Sequence, residues 1–232
     1  MKTWMMQRVL VLSLMAIFVL SPSVWAEQQQ GAVAVSPQGG VLVITDFETN
    51  PNNLGGIVAV EGDGAPDWND PNAINGWYYS KEVAGFNPAN VHSGNQSFRL
   101  VNGGTGRPLE NWATFYLLMG PVMDPSTFPV KIKSFDVSGF SALHFWIKGD
   151  KGGERFNVIF RDSTAPNNFP QARFDPVPEG LKTTWQEVSV PIPQVSKFVD
   201  THQVVMIGIE FGTNLGNKKG NIIYIDGIEL LP

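Results

Sequence analysis

Three carboxylates stand inside runs that otherwise read as apolar β-strands. Asp46 and Glu48 interrupt "VLVITDFET" near residue 41, and Asp226 interrupts "IIYIDGIELL" at the end of the chain. A carboxylate in a packed strand is costly, because desolvation disfavours its charged form. Such acids either cap turns and face solvent, or belong to a site that neutralises them. A second set emerges from the alternation of residues along strands. Leu143, Phe145 and Ile147 point one way, and His144, Trp146 and Lys148 the other. Phe156, Val158 and Phe160 oppose Asn157, Ile159 and Arg161; Val205, Ile207, Ile209 and Phe211 oppose Met206, Gly208 and Glu210. The first group of each strand is the natural inter-sheet core. The second faces outward, yet it carries Trp, His, Arg and Glu where a plain solvated face would carry Lys, Ser and Thr. "QARFDP" adds Arg173 and Asp175, alternate residues expected on one strand face.

Other chemistries lack their patterns. There is no nucleophile elbow, no pair of His at helical spacing and no phosphate-binding glycine loop. Three scattered His residues do not suggest a catalytic zinc site. Asp and Glu are plentiful, but nothing in the sequence pairs them as the acid and base of a glycosidase. The expectation is a chain that is not an enzyme.

The elements that must position these residues are short strands. Alternating runs bounded by Gly, Pro, Asn and Asp predict strands near 41–47, 77–82, 96–102, 112–118, 141–148, 155–161, 185–192, 204–211 and 222–230. No segment reads as an amphipathic helix of three turns. "SVPIPQVSKFV" is too rich in proline. So many short strands with turn-rich links predict an all-β sandwich or jelly roll. Trp112 and Trp185 read as core residues, and Arg161–Asp162 as a surface ion pair. One long loop, "EGDGAPDWNDPNAINGWYY" (61–79), holds Trp68, Trp77, Tyr78 and Tyr79. Long loops in compact domains are often functional, although aromatics also pack as caps.

The chain has 232 residues and begins as an export signal does. "MKTWMMQR" is a short basic start, "VLVLSLMAIFVL" an apolar stretch too short to span a bilayer, and "SPSVWA" ends with Val24 and Ala26 at the −3 and −1 positions. The expected organisation is a signal peptide over 1–26, a flexible lead-in over 27–40 and one β-sandwich domain over 41–232, secreted or periplasmic, with no membrane span after cleavage. Loss of Lys2 and Arg8 would take the net charge from −5 to −7, which argues against nucleic acid as a partner. There are no cysteines, so stability must come from core packing or from a metal.

"DVSGFSALHFWIKGD", "ERFNVIFRD", "TTWQEVSVPI", "VVMIGIEF" and "IIYIDGIELL" follow one another in a recognisable order, with "DFET", "NNLGG" and "HSGNQSFRL" before them. Over roughly 41–231 the chain resembles a galactose-binding-like jelly roll, similar to carbohydrate-binding modules of the family-11 kind. It is more distantly similar to the complex I intermediate-associated protein 30 family, whose Val-Met-Gly-Gly signature is absent. The resemblance implies first and last strands side by side, with a structural calcium held by Glu48, Asn95 and Asp226 and with Asp46 as a further ligand. It also implies a polysaccharide or oligosaccharide lying in a cleft on the concave sheet. Aromatics would stack on the sugar's C–H face and polar groups would bind its hydroxyls. The candidates are Tyr116, His144, Trp146, Arg161, Arg173, Asp175 and Glu210, with Trp77 or Trp68 closing the cleft. Trp146 also reads as purely structural. The alternative is an envelope or extracellular domain whose partner is a protein; a flatter, larger apolar patch would mark it.

Overall fold

The computed structural model describes residues 40–49, 52–62, 80–83, 87–102 and 113–232. The expected signal and lead-in, most of the 61–79 loop with Trp68 and Trp77, and Trp112 lie outside the described residues.

Two antiparallel sheets form a sandwich. The first runs β11 (Gln186–Pro191), β8 (Ala142–Gly149), β13 (Ile222–Leu231), β4 (Gln96–Val101), β3 (Ser80–Val83), with β1 (Leu42–Thr45) also paired to β13. The second runs β10 (Ala172–Phe174), β9 (Asn157–Asp162), β12 (Val204–Phe211), β5 (Ala113–Leu118), β2 (Val58–Gly62). A small hairpin, β6 (Val122–Asp124) with β7 (Lys131–Ile132), stands apart from both. The helical elements among the described residues are one turn, α1 (Ile192–Val195), and two three-residue 3-10 turns. Pro191 and Pro193 do not prevent α1, because proline is tolerated where a helix begins.

Every strand read from alternation is present within a few residues. Four were missed: β2, β6, β7 and β10. Each is five residues or fewer, too short to show a period, and β10 is flanked by Pro170 and Pro176.

The core lies between the sheets. Leu143, Phe145 and Ile147 of β8 and Ile223 and Ile225 of β13 meet Val158 and Phe160 of β9, Ile207 and Ile209 of β12, and Phe115 and Leu117 of β5. Phe47, Phe98 and Phe115 tie the layers together, with ring centroids 4.6–5.9 Å apart. Such aromatic contacts add to the area they bury. The alternation fails at Val205. A register irregularity between Val204 and Met206 puts Val204 in the core, while Val205 joins Met206, Ile159 and Ile132 in a second apolar cluster outside the second sheet. A bulge shifts the pleat by one residue. Tyr116, Leu118, Val122 and Val130 pack on this cluster, so the β6–β7 segment roofs part of that sheet.

Candidate functional site

Apart from β3–β4 and β9–β10, successive strands of the sandwich alternate between the two sheets, and this divides the polar residues read as one outward set. β8 belongs to the first sheet and β9 and β12 to the second. Their outward side chains therefore lie on opposite surfaces of the sandwich. His144 and Trp146 do not share a face with Tyr116, Arg161, Arg173 and Glu210, and the expectation of a single cleft is corrected accordingly.

On the first sheet, His144 and Trp146 are already engaged. His144 is buried, with a carboxylate 2.9 Å from each ring nitrogen, Glu187 at Nε2 and Glu229 at Nδ1. Neither contact has the geometry of an in-line hydrogen bond. The imidazole of His92 stacks on Trp146 with centroids 4.0 Å apart and planes 14° apart, and Trp185 meets His92 edge-on. Lys148 Nζ donates to Ala89 O and Asn90 Oδ1, both at 2.7 Å, and sits 4.9 Å above the Tyr224 ring. Residues 89–92 therefore cover this surface at Trp146 and Lys148. Trp185 stands here, half-buried, rather than in the core.

The second sheet presents its residues in rows set by strand register. One row is Asn157, Glu210, Thr114 and the Glu61 position; the next is Arg173, Ile159, Gly208, Tyr116 and the Ala59 position. Glu210 Oε2 accepts from Asn157 Nδ2 at 2.9 Å and from Arg173 Nε at 3.2 Å. This fixes the arginine while its side chain remains 49% exposed. Between Ile159 and the half-buried Tyr116, position 208 has no room for a side chain. A Cβ there would collide with Phe115 O and press on Ile159. Gly208 and Ile159 are buried, so this is a closely packed stretch of sheet, edged by an aromatic, a guanidinium, a carboxylate and an amide. The segments 63–79 and 103–112 leave from the same end of this sheet, where Gly62 pairs with Ala113 and Ala113 with Phe211. Trp77, expected to close a cleft there, lies outside the described residues.

Arg161 and Asp175 belong less directly to this surface. Arg161 is buried in the next row, opposite Met206, under the β6–β7 segment. Arg161 and Asp162 are both about 3% exposed, so the reading as a surface ion pair is corrected. Asp175 falls past the end of β10, is exposed, and its Oδ1 accepts from Val177 N at 3.3 Å, the geometry of a turn cap.

The terminal acids come together as the pairing of β1 with β13 requires. Phe47 adopts φ +61°, a conformation rare for a bulky residue. It drops its ring into the core, while Glu48 turns toward the 92–96 segment. Glu48 Oε1 accepts from the N–H groups of Asn95 at 2.6 Å and Gln96 at 2.9 Å. Asp226 Oδ2 accepts from His92 N and Ser93 N, both at 3.0 Å, and its Oδ1 is buried with no partner. Burial pushes the Asp226 carboxyl up to about 6, against the pull of the backbone N–H groups and with a further push from the charge of Glu48. Asp46 stays exposed, its Oδ1 capping Glu48 N at 3.1 Å. Among the described residues no three His, Cys, Asp or Glu side chains are grouped to hold a metal. An oxygen-only set of two carboxylates, one with an orphaned oxygen, nevertheless fits a hard cation that completes its shell with backbone oxygen and water.

Elsewhere, Ser138 Oγ and Asp136 Oδ2 both approach Nδ1 of His202, at 3.2 and 3.3 Å. A relay needs the serine and the acid on opposite ring nitrogens, so this trio is not arranged as one. No helix among the described residues is long and apolar enough to cross a membrane.

Comparison with known proteins adds to this geometry. No curated protein matches the sequence. Solved structures that resemble the chain include a family 11 carbohydrate-binding module from Clostridium thermocellum in complex with a β-1,3-1,4-mixed-linked tetrasaccharide. It shows 14% identity over 84% of this chain and 96% of that one, with a TM-score of 0.49. A family 30 carbohydrate-binding module shows 16% identity over 75% and 90%, with a TM-score of 0.46. The family 30 module of a Clostridium thermocellum cellulosomal cellulase shows 16% identity over 83% and 93%, with a TM-score of 0.45. The model for carbohydrate binding domain 30 matches residues 72–231. By that match the chain belongs to carbohydrate-binding domain family 30.

Proposed function

We propose that the chain is an exported, non-catalytic jelly-roll module that binds a glycan across the outward face of the second sheet. The observation that carries this reading is the hydrogen-bonded Arg173–Glu210–Asn157 cluster, with its arginine half exposed, on the same sheet face as the half-buried Tyr116. A pyranose offers an apolar C–H face and a rim of hydroxyls, so it suits a half-buried ring beside a fixed guanidinium and carboxylate. Glu210 orients Arg173, and pre-setting a polar side chain lowers the ordering cost of binding. The first sheet is the poorer candidate, because its Trp146 is already stacked by His92.

In the same reading Glu48 and Asp226 would hold a calcium ion. Its support is the orphaned Oδ1 of Asp226 and the proximity of two carboxylates at a buried place. The ion would neutralise them and pin the 92–96 turn to the first and last strands; its role is stability.

The test is binding of the protein to a panel of β-glucans, xylans, mannans and galactans in calcium-containing buffer, by affinity electrophoresis and then calorimetry. Saturable binding to one class is expected, with Arg173→Ala reducing affinity at least tenfold and leaving the melting temperature within a few degrees. A folded protein that binds nothing on the panel, or an Arg173→Ala variant with wild-type affinity, would overturn the assignment of this face. A blank panel would favour the protein-partner alternative.

A further inference from the structure

Beyond the Gly208 row, the second sheet ends in a cleft of about 480 Å³ between the β6–β7 segment and the loop that follows β9. Its walls are mostly apolar, including Met123, Phe128, Val130 and Ile132 from the hairpin segment and Ala165 and Val205 opposite, and Arg161 and Asp162 both line it. Phe128 and Met123 at its rim are each 70% exposed.

Arg161 is anomalous there. Its side chain is almost wholly buried, and it has neutral partners: Nη1 donates to Asn168 Oδ1 at 2.7 Å and more weakly to Asn167 O at 3.3 Å. Its Nε has no acceptor, and no carboxylate forms an ion pair with it among the described residues. Tyr116 and the adjacent Asp162 favour its charged form electrostatically, but the carboxylate oxygens of Asp162 are hydrogen-bonded to other donors. Its Oδ1 accepts from Thr164 N and Oγ1, and its Oδ2 from Asp200 N. Lys131 adds a cation at the cleft, its charge shared with nearby Asp124. A buried guanidinium with no carboxylate in direct contact is expensive to maintain, and its planar fork matches a carboxylate.

We propose that this cleft is a subsite for a carboxylate-bearing sugar, a uronosyl residue of the bound glycan, with Arg161 as its anion partner. The inference rests on the glycan-binding reading above and specifies the substrate class. The apolar walls suit the C–H face of the ring, the guanidinium takes the carboxylate, and the volume is within the usual range for small-ligand pockets. The row of Arg161 adjoins the row of Arg173, so one glycan chain can reach both Arg173 and the cleft.

The experiment is calorimetric titration of the protein with matched pairs of oligosaccharides, one neutral and one carrying a glucuronosyl or galacturonosyl unit, at low and high salt. Wild type should prefer the acidic member by about 10- to 100-fold, the range of a charge-assisted hydrogen bond, and high salt should reduce that preference. Arg161→Gln should bring the ratio of acidic to neutral affinity close to one. Phe128→Ala, a change at an exposed rim position that does not endanger folding, should lower the ratio as well. An Arg161 that merely clamps the hairpin to the loop predicts no acidic preference in wild type, only a lower melting temperature in Arg161→Gln. Binding of neutral members without acidic preference overturns this inference and leaves the glycan reading standing. Binding to neither member of any pair overturns both.

Discussion

Replacement of Asp226 by Asn tests the terminal carboxylate cluster most directly. Asp226 is fully buried in β13, and burial lifts its carboxyl from an ordinary 3.8 to about 6. The folded, metal-free protein therefore holds a proton on this group more tightly than the unfolded chain does. Between the two values the native state binds more protons, so stability falls as pH rises. A shift of about two units corresponds to about 3 kcal/mol of penalty, fully present above pH 6 and absent below about pH 4. The amide oxygen of the Asp226→Asn variant can still accept from His92 N and Ser93 N, and the amide carries no charge to desolvate. Metal-free Asp226→Asn should thus be more stable than wild type at pH 7.5 by up to about 3 kcal/mol, and equal to it near pH 4. Calcium should reverse the order. At a hundredfold excess over its Kd the ion adds about 2.7 kcal/mol to a protein that binds it only when folded, and only wild type should gain this. Urea denaturation followed by tryptophan fluorescence, at pH 4, 6 and 7.5 with and without calcium, measures all of these terms. The reasoning fails if the metal-free proteins show the same pH dependence. The calcium assignment fails if the ion stabilises both proteins equally or neither.

Three further predictions concern neighbouring parts of the molecule. Gly94 has φ +66°, and a Cβ on it would collide with Glu48 Oε1; Gly94→Ala should lower stability by about 1–3 kcal/mol in urea titrations and weaken any calcium response. Phe98→Ala removes a fully buried ring from the Phe47–Phe115 contact and should cost about 3–5 kcal/mol by the same assay. Trp146→Ala should lower the melting temperature, because His92 loses its stacking partner, while glycan affinity stays within twofold; a tenfold loss would return the binding face to the first sheet.

Much of the architecture was legible because period-two alternation is a local property. "ALHFWIKG" and "VVMIGIEF" declare their strands from side-chain order alone, and their core residues are those the pattern names, apart from the single step at Val205. Short elements were not legible. A three-residue strand such as β10 has no room for a period, so Arg173 could be placed on a face, while the end of its strand before Asp175 could not be seen. Of the candidate site, the polar character of the outward residues was readable, but their grouping was not. His92 over Trp146, the Asn157–Glu210–Arg173 cluster and the acceptor-free Arg161 Nε depend on residues far apart in the chain, and no spacing rule connects them.

The sequence by itself determined the class of the fold, the inward face of nearly every long strand and the presence of acids in both terminal strands, because alternation and turn residues act between near neighbours. Tertiary structure decided which strands share a sheet. Since most successive strands cross between two layers, that decision placed Trp146 and Arg173 on opposite surfaces, brought Glu48 to the same turn as the buried Asp226, and left one buried guanidinium with no carboxylate in ion-pair contact among the described residues.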